Sequence, residues 1–178
     1  MATFVHIANA RDALHIYRNG LKPRRARFTS AGDVAEVHRV VFCVPVVPNF
    51  QATFQWLREL KRGGYRTAVG VQFRIDDGQE VWFGRYGKPH ERMTAADAVG
   101  RYMSMPDSRG YEVLVPRRVA PREIMRVRDV PQLMGWRFFP ESKNTGTTWW
   151  PSLKGEIKRR RVIASINRKD SRELRGRE

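Results

Sequence analysis

Cysteine is nearly absent from this chain, and long hydrophobic runs are missing. Cys43 is the only cysteine, which excludes an internal disulfide and a zinc site made of several cysteines. The longest nearly apolar run, 40–47, contains Pro45 and is far shorter than the roughly 20 residues that cross a bilayer. Because no secretory leader is visible either, we expect a cytoplasmic protein with no membrane partner.

Several catalytic motifs are also missing. The sequence has no phosphate loop of NTPases, no glycine-rich dinucleotide fingerprint, no nucleophile elbow and no HExxH zinc motif. Its histidines are His6, His15, His38 and His90, and no two of them are spaced to lie together on one helix face as metal ligands. We therefore expect no bound metal.

Acidic residues are few compared with basic ones. The chain has 34 Lys and Arg against 18 Asp and Glu, a formal net charge of +16. A surplus of this size attracts polyanions and speeds their association. Residues 154–178 hold only six of these surplus charges, so the excess extends well beyond the C-terminal tail. Nucleic acid is the leading partner, and a merely solubilising surface is the alternative.

The length of the chain fits one hydrophobic core. We predict a single α+β domain over 1–150 and a basic C-terminal helix or tail over 151–178. Nucleic acid would be held by cations on its phosphates and by a tryptophan stacked on unpaired bases. The candidate residues are Arg24, Arg25 and Arg27 in a basic surface loop over 21–27, and Trp150, Lys154, Arg159, Arg160 and Arg161 near the C-terminus.

Hydrophobic periodicity and turn residues predict the order of elements. Asn9, Asn49 and Thr94 are typical helix N-caps, and Gly20 is a typical helix end. Residues 76–79 have turn chemistry, so the strands on either side are expected to form a hairpin. The predicted strands are 2–8, 40–44, 67–75, 80–85, 111–115 and 122–127, and the predicted helices follow the three caps, with a fourth over 152–164.

Two polar side chains interrupt apolar strands at opposite ends of the predicted core. His6 lies in Phe-Val-His-Ile-Ala, and Glu112 shares a strand face with Leu114. A polar group in such a place loses hydration, so it is either paired or retained for chemistry. We hypothesise that His6 and Glu112 belong to one active site. The alternatives are a structural histidine and a salt-bridged glutamate.

The order of these features carries a resemblance to a known family. The N-terminal part has a strand with His6, a capped helix ended by Gly20, an apolar strand with Phe42 and an aromatic helix. Much later, Tyr-Glu-Val-Leu-Val-Pro at 111–116 is followed by Pro-Arg-Glu-Ile at 121–124. This order resembles the NAD-dependent ADP-ribosyltransferase superfamily, nearest to the DarT-like toxins that modify DNA bases and more distantly to the RNA 2′-phosphotransferases.

The resemblance implies an α+β fold in which two small, mainly antiparallel sheets form a cleft with flanking helices. It implies NAD as co-substrate, His6 as the residue that fixes NAD and Glu112 as the catalytic carboxylate. An aromatic residue would stack on nicotinamide, and the candidates are Phe42, Phe50, Phe54 and Trp56. An arginine would assist the reaction, and Arg39, Arg66 and Arg74 are the candidates.

The resemblance also bears on the acceptor and on protein partners. The RNA 2′-phosphotransferases have an arginine directly before the histidine, and Val5 stands there in this chain, which argues against removal of phosphate from RNA. We therefore expect an ADP-ribosyltransferase that modifies DNA or RNA, as a bacterial toxin or defence factor with an antitoxin protein as a further partner. The alternatives are a noncatalytic nucleic-acid-binding protein and a transferase that acts on protein.

Overall fold

The fold is α+β, with a mostly antiparallel sheet and short helices. A computed structural model describes residues 1–30, 35–62, 64, 67–132, 135 and 160–166. The strands are β1 (Ala2–Asn9), β2 (Arg24–Phe28), β3 (Glu36–Pro45), β4 (Ala68–Ile75), β5 (Glu80–Arg85), β6 (His90–Thr94), β7 (Tyr111–Val115) and β8 (Ile124–Asp129). The helices are α1 (Ala13–Asn19), α2 (Phe50–Thr53), α3 (Leu57–Arg62) and α4 (Ala95–Ser104), and 160–166 are also helical.

The strands form one hydrogen-bonded path rather than the two separate sheets that we expected. Their order is β6-β5-β7-β3-β1-β4-β8, with β2 paired to β3. The path is narrow at one place, because β1 and β3 share only the pairs Phe4↔Pro45 and Val5↔Val44. In contrast, β1 pairs with β4 along its whole length, from Ala2↔Ile75 to Asn9↔Ala68.

The buried hydrophobic side chains form two clusters. The main core includes the fully buried side chains of Phe4, Phe73 and Val113, and Ile166 of the C-terminal helical segment packs into it. A smaller cluster contains Phe28, Val40, Trp82 and Leu114. Phe42 and Trp82 are both directly cross-strand from Leu114, so these three side chains share one face.

The predicted caps are confirmed. The Asn9 side chain accepts a hydrogen bond from the Arg11 amide, and the Asn49 side chain accepts from two amides of α2. Thr94 Oγ1 accepts from the Asp97 amide at the start of α4. Each of these side chains satisfies amides that have no partner inside the helix.

The predicted hairpin is wrong in its pairing, although both of its strands exist. The turn forms, and Asp76 Oδ1 accepts a hydrogen bond from the Gly78 amide. However, β4 is paired on its two edges by β1 and β8, so no edge is left for β5. Instead β5 forms a hairpin with β6 through a turn at which Gly87 has φ +73°.

The predicted basic loop over 21–27 is also wrong, because β2 lies there. Arg25 pairs with Arg39 and Arg27 with Val37 across the β2–β3 ladder. Arg24, Arg25 and Arg27 are exposed, as befits a strand at the margin of the sheet. Their charge suggested a loop, but an edge strand with one solvated face accepts arginine equally well.

No helix within the described part of the chain is long and apolar enough to cross a membrane. The helices that the structure does describe are short, and α4 is the longest of the named ones at 10 residues.

Gly20 is the glycine on which the fold depends most. Its φ of +76° and ψ of 178° lie in a region that only glycine adopts readily, and an added Cβ would lie 2.2 Å from the Val119 carbonyl oxygen. We expect Gly20→Ala to lower the free energy of unfolding by about 2 kcal/mol or more, measured by urea denaturation.

Two other glycines supply matched controls. Gly87 has positive φ but open space around it, so Gly87→Ala should cost only about 1 kcal/mol of strain. Gly100 lies exposed in α4 with nothing near its missing Cβ, so Gly100→Ala should stabilise by about 0.5–1 kcal/mol. Equal effects of the three substitutions would contradict this account.

Candidate active site

A cavity opens where β1 separates from β3. Beyond the pair Val5↔Val44 the backbone ladder between these strands ends, while β1 continues along β4. The imidazole of His6, the next residue of β1, reaches the other strand with its side chain, and its Nδ1 lies 2.7 Å from the Phe42 carbonyl oxygen. The side chain thus spans a gap that the backbone leaves open.

The cavity brings His6 and Glu112 together. Its volume is about 360 Å³, and its walls come from β1, β2, β3, α3, β7 and the β5–β6 turn. A second cavity of about 460 Å³ lies beside helix α1 and shares the lining residues His6, Arg24 and Phe42 with the first. The first is lined by Val5, His6, Ile7, Arg24, Phe42, Cys43, Val44, Trp56, Glu59, Leu60, Arg62, Tyr86 and Glu112.

The hydrogen bond to Phe42 fixes the tautomer of His6. A carbonyl oxygen only accepts, so Nδ1 must carry the proton, and Nε2 of the neutral ring is then an acceptor. Burial lowers the pKa of His6, the hydrogen bond to the Phe42 carbonyl partly opposes this, and the charge of Arg24 adds a smaller lowering. At neutral pH the ring is therefore uncharged and can accept a hydrogen bond from a hydroxyl group.

Glu112 is a buried carboxylate on β7. It is 8% exposed and lies directly cross-strand from Gly84 of β5. Burial raises the pKa of its carboxyl group, and the neighbouring His90 opposes this rise. The Nε2 atom of His90 lies 3.3 Å from Glu112 Oε1, an ion-pair distance. A raised pKa in a cleft is typical of a carboxylate with a catalytic role.

Aromatic side chains line the cavity beside Glu112. Trp56 donates a hydrogen bond from Nε1 to the Tyr111 carbonyl at 3.1 Å, which places its indole next to the Glu112 backbone. The ring of Tyr86 meets that of Trp56 edge-on at 5.5 Å. These two rings, with Phe42, form surfaces on which a flat aromatic group can stack.

Cationic side chains also reach the cavity. Arg62 pairs with Glu59 at 3.0 Å, and both line it. Arg24 lines both cavities. Within the described residues, no group of three or more His, Cys, Asp or Glu side chains is placed to hold a metal ion.

The structure brings some of the predicted site residues together at the cavity and places others elsewhere. His6, Phe42, Trp56 and Glu112 line the cavity, as does Arg24, which was expected to contact nucleic acid. Phe54 is 1% exposed and packs in the hydrophobic core instead, so its position does not support the predicted contact with NAD.

The remaining predicted residues lie elsewhere or outside the described residues. Neither Arg39 nor Arg74 is among the cavity residues, and both are exposed on strands. Phe50 is 38% exposed, and its ring lies 4.5 Å from that of Phe54. Arg160 and Arg161 are exposed in the C-terminal helical segment, whereas Arg66, Trp150, Lys154 and Arg159 lie outside the described residues.

Sequence reasoning missed His90, Tyr86, Arg62 and the role of Gly84. The ladder that brings His90 beside Glu112 runs through β6, a strand that was not predicted because its sequence, His-Glu-Arg-Met-Thr, is mostly polar. A signal for it did exist: Gly87 between two extended segments is typical of a hairpin turn.

Cys43 provides a direct probe of this site. It is 3% exposed, and its pKa is raised well above the usual value by burial and by the negative charge of Glu112. Because thiolate is the reactive form, we expect the native thiol to react with a disulfide reagent near pH 8 only as the protein opens. Absorbance of the released thiol, with and without denaturant, measures this. Fast reaction of the native protein would contradict the burial of Cys43 and the charge beside it.

No protein-family model, curated protein or solved structure shows significant similarity to this chain.

Proposed function

We propose that the protein is an NAD-dependent ADP-ribosyltransferase that modifies nucleic acid. The observation that carries this proposal is the presence of His6 and Glu112 in the walls of one cavity, although the two residues come from opposite ends of the described core. A neutral hydrogen-bond acceptor and a buried carboxylate in one cleft suit the binding of a sugar and the stabilisation of a cation on it.

The size and lining of the two cavities support NAD as the co-substrate. Ligand sites of about 300–1,000 Å³ are usual, and the cavities of about 360 and 460 Å³ share the walls made by His6, Arg24 and Phe42. Trp56, Tyr86 and Phe42 offer aromatic faces for nicotinamide, and Arg24 offers positive charge for the phosphates. Arg11 and Lys22 add positive charge in the second cavity.

Glu112 would act on the charge that develops during transfer. The bond between ribose C1′ and the nicotinamide nitrogen breaks, and its electron pair leaves with nicotinamide as a neutral molecule. The ribose is left with oxocarbenium character, which a carboxylate stabilises by its negative potential and by a hydrogen bond from a ribose hydroxyl. A nitrogen or oxygen of the acceptor then bonds to C1′, and its proton passes to Glu112 or to water.

The charge pattern of β2 and β3 favours nucleic acid as the acceptor. Arg25 and Arg39 are directly cross-strand, and Arg27 follows on the same face of β2, so we name these three residues the basic ribbon. Like charges in opposite positions destabilise a sheet. No carboxylate of the described residues forms an ion pair with them, so a polyanion is a suitable neutralising partner. Arg24 of the same strand lines the cavities.

The substitution Glu112→Gln tests the catalytic role. Because the amide keeps the shape but removes the charge, we expect NAD-dependent transfer to a nucleic-acid mixture to fall by about a thousandfold or more. Mass spectrometry of the nucleotides measures the transfer. In the native protein the rate should fall as the pH drops through the raised pKa of Glu112, so the acidic limb should lie above the ordinary range for a glutamate.

Glu80→Gln is the matched control, since Glu80 is an exposed glutamate on β5 and lies outside the cavity. It should leave transfer unchanged. If native protein binds nucleic acid but transfers nothing from NAD, the noncatalytic alternative replaces this proposal. If the acceptor proves to be a protein, the nucleic-acid part alone is rejected.

The basic ribbon is tested by its effect on the salt dependence of binding. We expect the double variant Arg25→Gln/Arg39→Gln to bind single-stranded nucleic acid more weakly, and to reduce the slope of log K against log salt by about 1 for each phosphate that an arginine no longer neutralises. Fluorescence anisotropy over a range of salt concentrations measures this slope.

A second double variant, Arg92→Gln/Arg101→Gln, removes the same net charge elsewhere. Arg92 lies 3.7 Å from Glu80 and Arg101 lies 2.6 Å from Glu91, so both are neutralised within the protein. The salt slope of this variant should stay close to that of the native protein. Equal slopes for the two double variants would show that only net charge matters, and would reject the ribbon as a contact surface.

A further inference from the structure

We infer that His90 is a positioning residue for Glu112. The imidazole of His90 holds the Glu112 carboxylate in place and supplies the proton that balances its negative charge. This inference rests on the proposed function for its catalytic consequence, but the arrangement itself is visible in the geometry. His90 is 1% exposed and is not among the residues that line the cavity, so it acts on the site only through Glu112.

A missing side chain makes room for the contact. His90, Gly84 and Glu112 occupy successive cross-strand positions on β6, β5 and β7, and the middle position is glycine. A Cβ on Gly84 would lie 2.7 Å from Cγ of His90 and 2.8 Å from its Cδ2, so the imidazole fills the space of the absent side chain. The ring thereby extends over β5 and places Nε2 3.3 Å from Glu112 Oε1.

Three further contacts fix the histidine. Its Nδ1 lies 3.0 Å from the Lys88 carbonyl oxygen, and its backbone amide donates to the Thr29 carbonyl at 2.8 Å. Its ring packs against that of Phe28 at 5.0 Å. Strands and turns on both sides therefore hold the imidazole in one orientation, and Glu112 is held with it.

These contacts require one proton between His90 and Glu112. The Lys88 carbonyl only accepts, so Nδ1 carries a proton. Without a second proton, the unprotonated Nε2 would lie 3.3 Å from an ionised carboxylate oxygen, and the two would repel each other. The pair is thus either imidazolium with carboxylate or imidazole with carboxylic acid. No hydrogen bond to Nε2 with acceptable geometry is made by any described residue, so the contact is chiefly electrostatic.

Several other ionisable groups lie near the pair. Cys43, on the neighbouring β3, is a buried thiol whose pKa is raised, partly by Glu112 itself. His6, Arg24, Glu59, Arg62 and Tyr86 line the same cavity as Glu112. The ring of His38 lies 4.5 Å from that of Phe28, which also contacts the ring of His90. Of the described residues, His90 alone forms an ion-pair contact with Glu112.

The catalytic consequence follows from the sign of the charge. A developing cation on the ribose favours the ionised form of Glu112, and His90 can then hold the proton. His90 lowers the pKa of Glu112 against the effect of burial. Removing the imidazole should therefore raise the pKa of Glu112 further, so that on acidification Glu112 becomes protonated at a higher pH.

Two substitutions separate shape from charge. His90→Phe keeps a ring in the space above Gly84 but has no proton to give, and His90→Gln keeps a hydrogen-bond donor but has no charge. We expect kcat for transfer to fall by about 10- to 100-fold in both variants, the usual effect of removing a group that orients a functional ligand. The acidic limb of the pH–rate profile should move to higher pH in both. If His90 had only a structural role, its substitution would lower the amount of folded protein without moving the acidic limb of the pH–rate profile.

Arg92→Gln is the control for changes to β6, because Arg92 is exposed on the same strand and lies outside the cavity. It should leave kcat and the pH profile unchanged. If the profile of both His90 variants coincides with that of the native protein, the inference is overturned.

Two NMR measurements decide the matter without any enzymatic activity. A titration of ¹³C-labelled glutamate should show Glu112 losing its proton at a higher pH in the His90 variants than in the native protein. A long-range ¹H–¹⁵N spectrum of the native protein should show Nδ1 of His90 protonated. An unshifted Glu112 carboxyl, or a native His90 without a proton on Nδ1, would reject the inference. If the native protein transfers nothing from NAD while these spectra are as expected, the proposed function fails and the proton-sharing pair stands.

Discussion

The separation of β1 from β3 determines the rest of the site. Two residue pairs join these strands, after which β1 follows β4 and the backbone groups of β3 face a gap. A buried carbonyl without a partner is costly, and the Phe42 carbonyl is satisfied by the imidazole of His6. A single side-chain hydrogen bond therefore allows the sheet to open without leaving this group unpaired. The cavity, the tautomer of His6 and the approach to Glu112 all depend on it.

The buried position of the Glu112 carboxylate lowers the stability of the folded protein. Its pKa is raised by folding, so the ionised form is disfavoured in the native state relative to the unfolded chain. As the pH rises from the pKa that Glu112 has in the unfolded chain towards its raised pKa in the folded protein, this carboxyl group lowers the free energy of unfolding. A buried carboxylate next to Leu114 is thus not explained by the packing of the sheet. Residues that reduce stability and line a cleft are typical of functional sites.

Local structure could be predicted from the sequence to a large extent, but pairing could not. Caps such as Asn49 and Thr94 act within four residues, so the sequence contains the whole interaction. The partners of β4 and β5 are decided by distant strands, and the turn between them forms whether or not the strands pair. The candidate site shows the same division between local features, which could be predicted, and contacts with distant strands, which could not. His6 and Glu112 were predicted because each is polar within an apolar strand. His90 lies in a polar segment, and its role exists only through Gly84 on the neighbouring strand.

The two halves of the sheet supply different parts of the proposed chemistry. The half built on β1 and β4 supplies a neutral imidazole, and the half built on β7, β5 and β6 supplies a carboxylate with its own proton partner. His6 is held by its hydrogen bond to Phe42 across the gap, and Glu112 is held by His90, so a ligand in the gap would meet both without either having to move. Such preorganisation is the main source of electrostatic catalysis, because the dipoles and charges need no rearrangement when the cation forms. The narrow junction of Phe4↔Pro45 and Val5↔Val44 keeps the two halves at a fixed separation. The cavity that we propose as the NAD site thus comes from the same feature that makes the sheet incomplete.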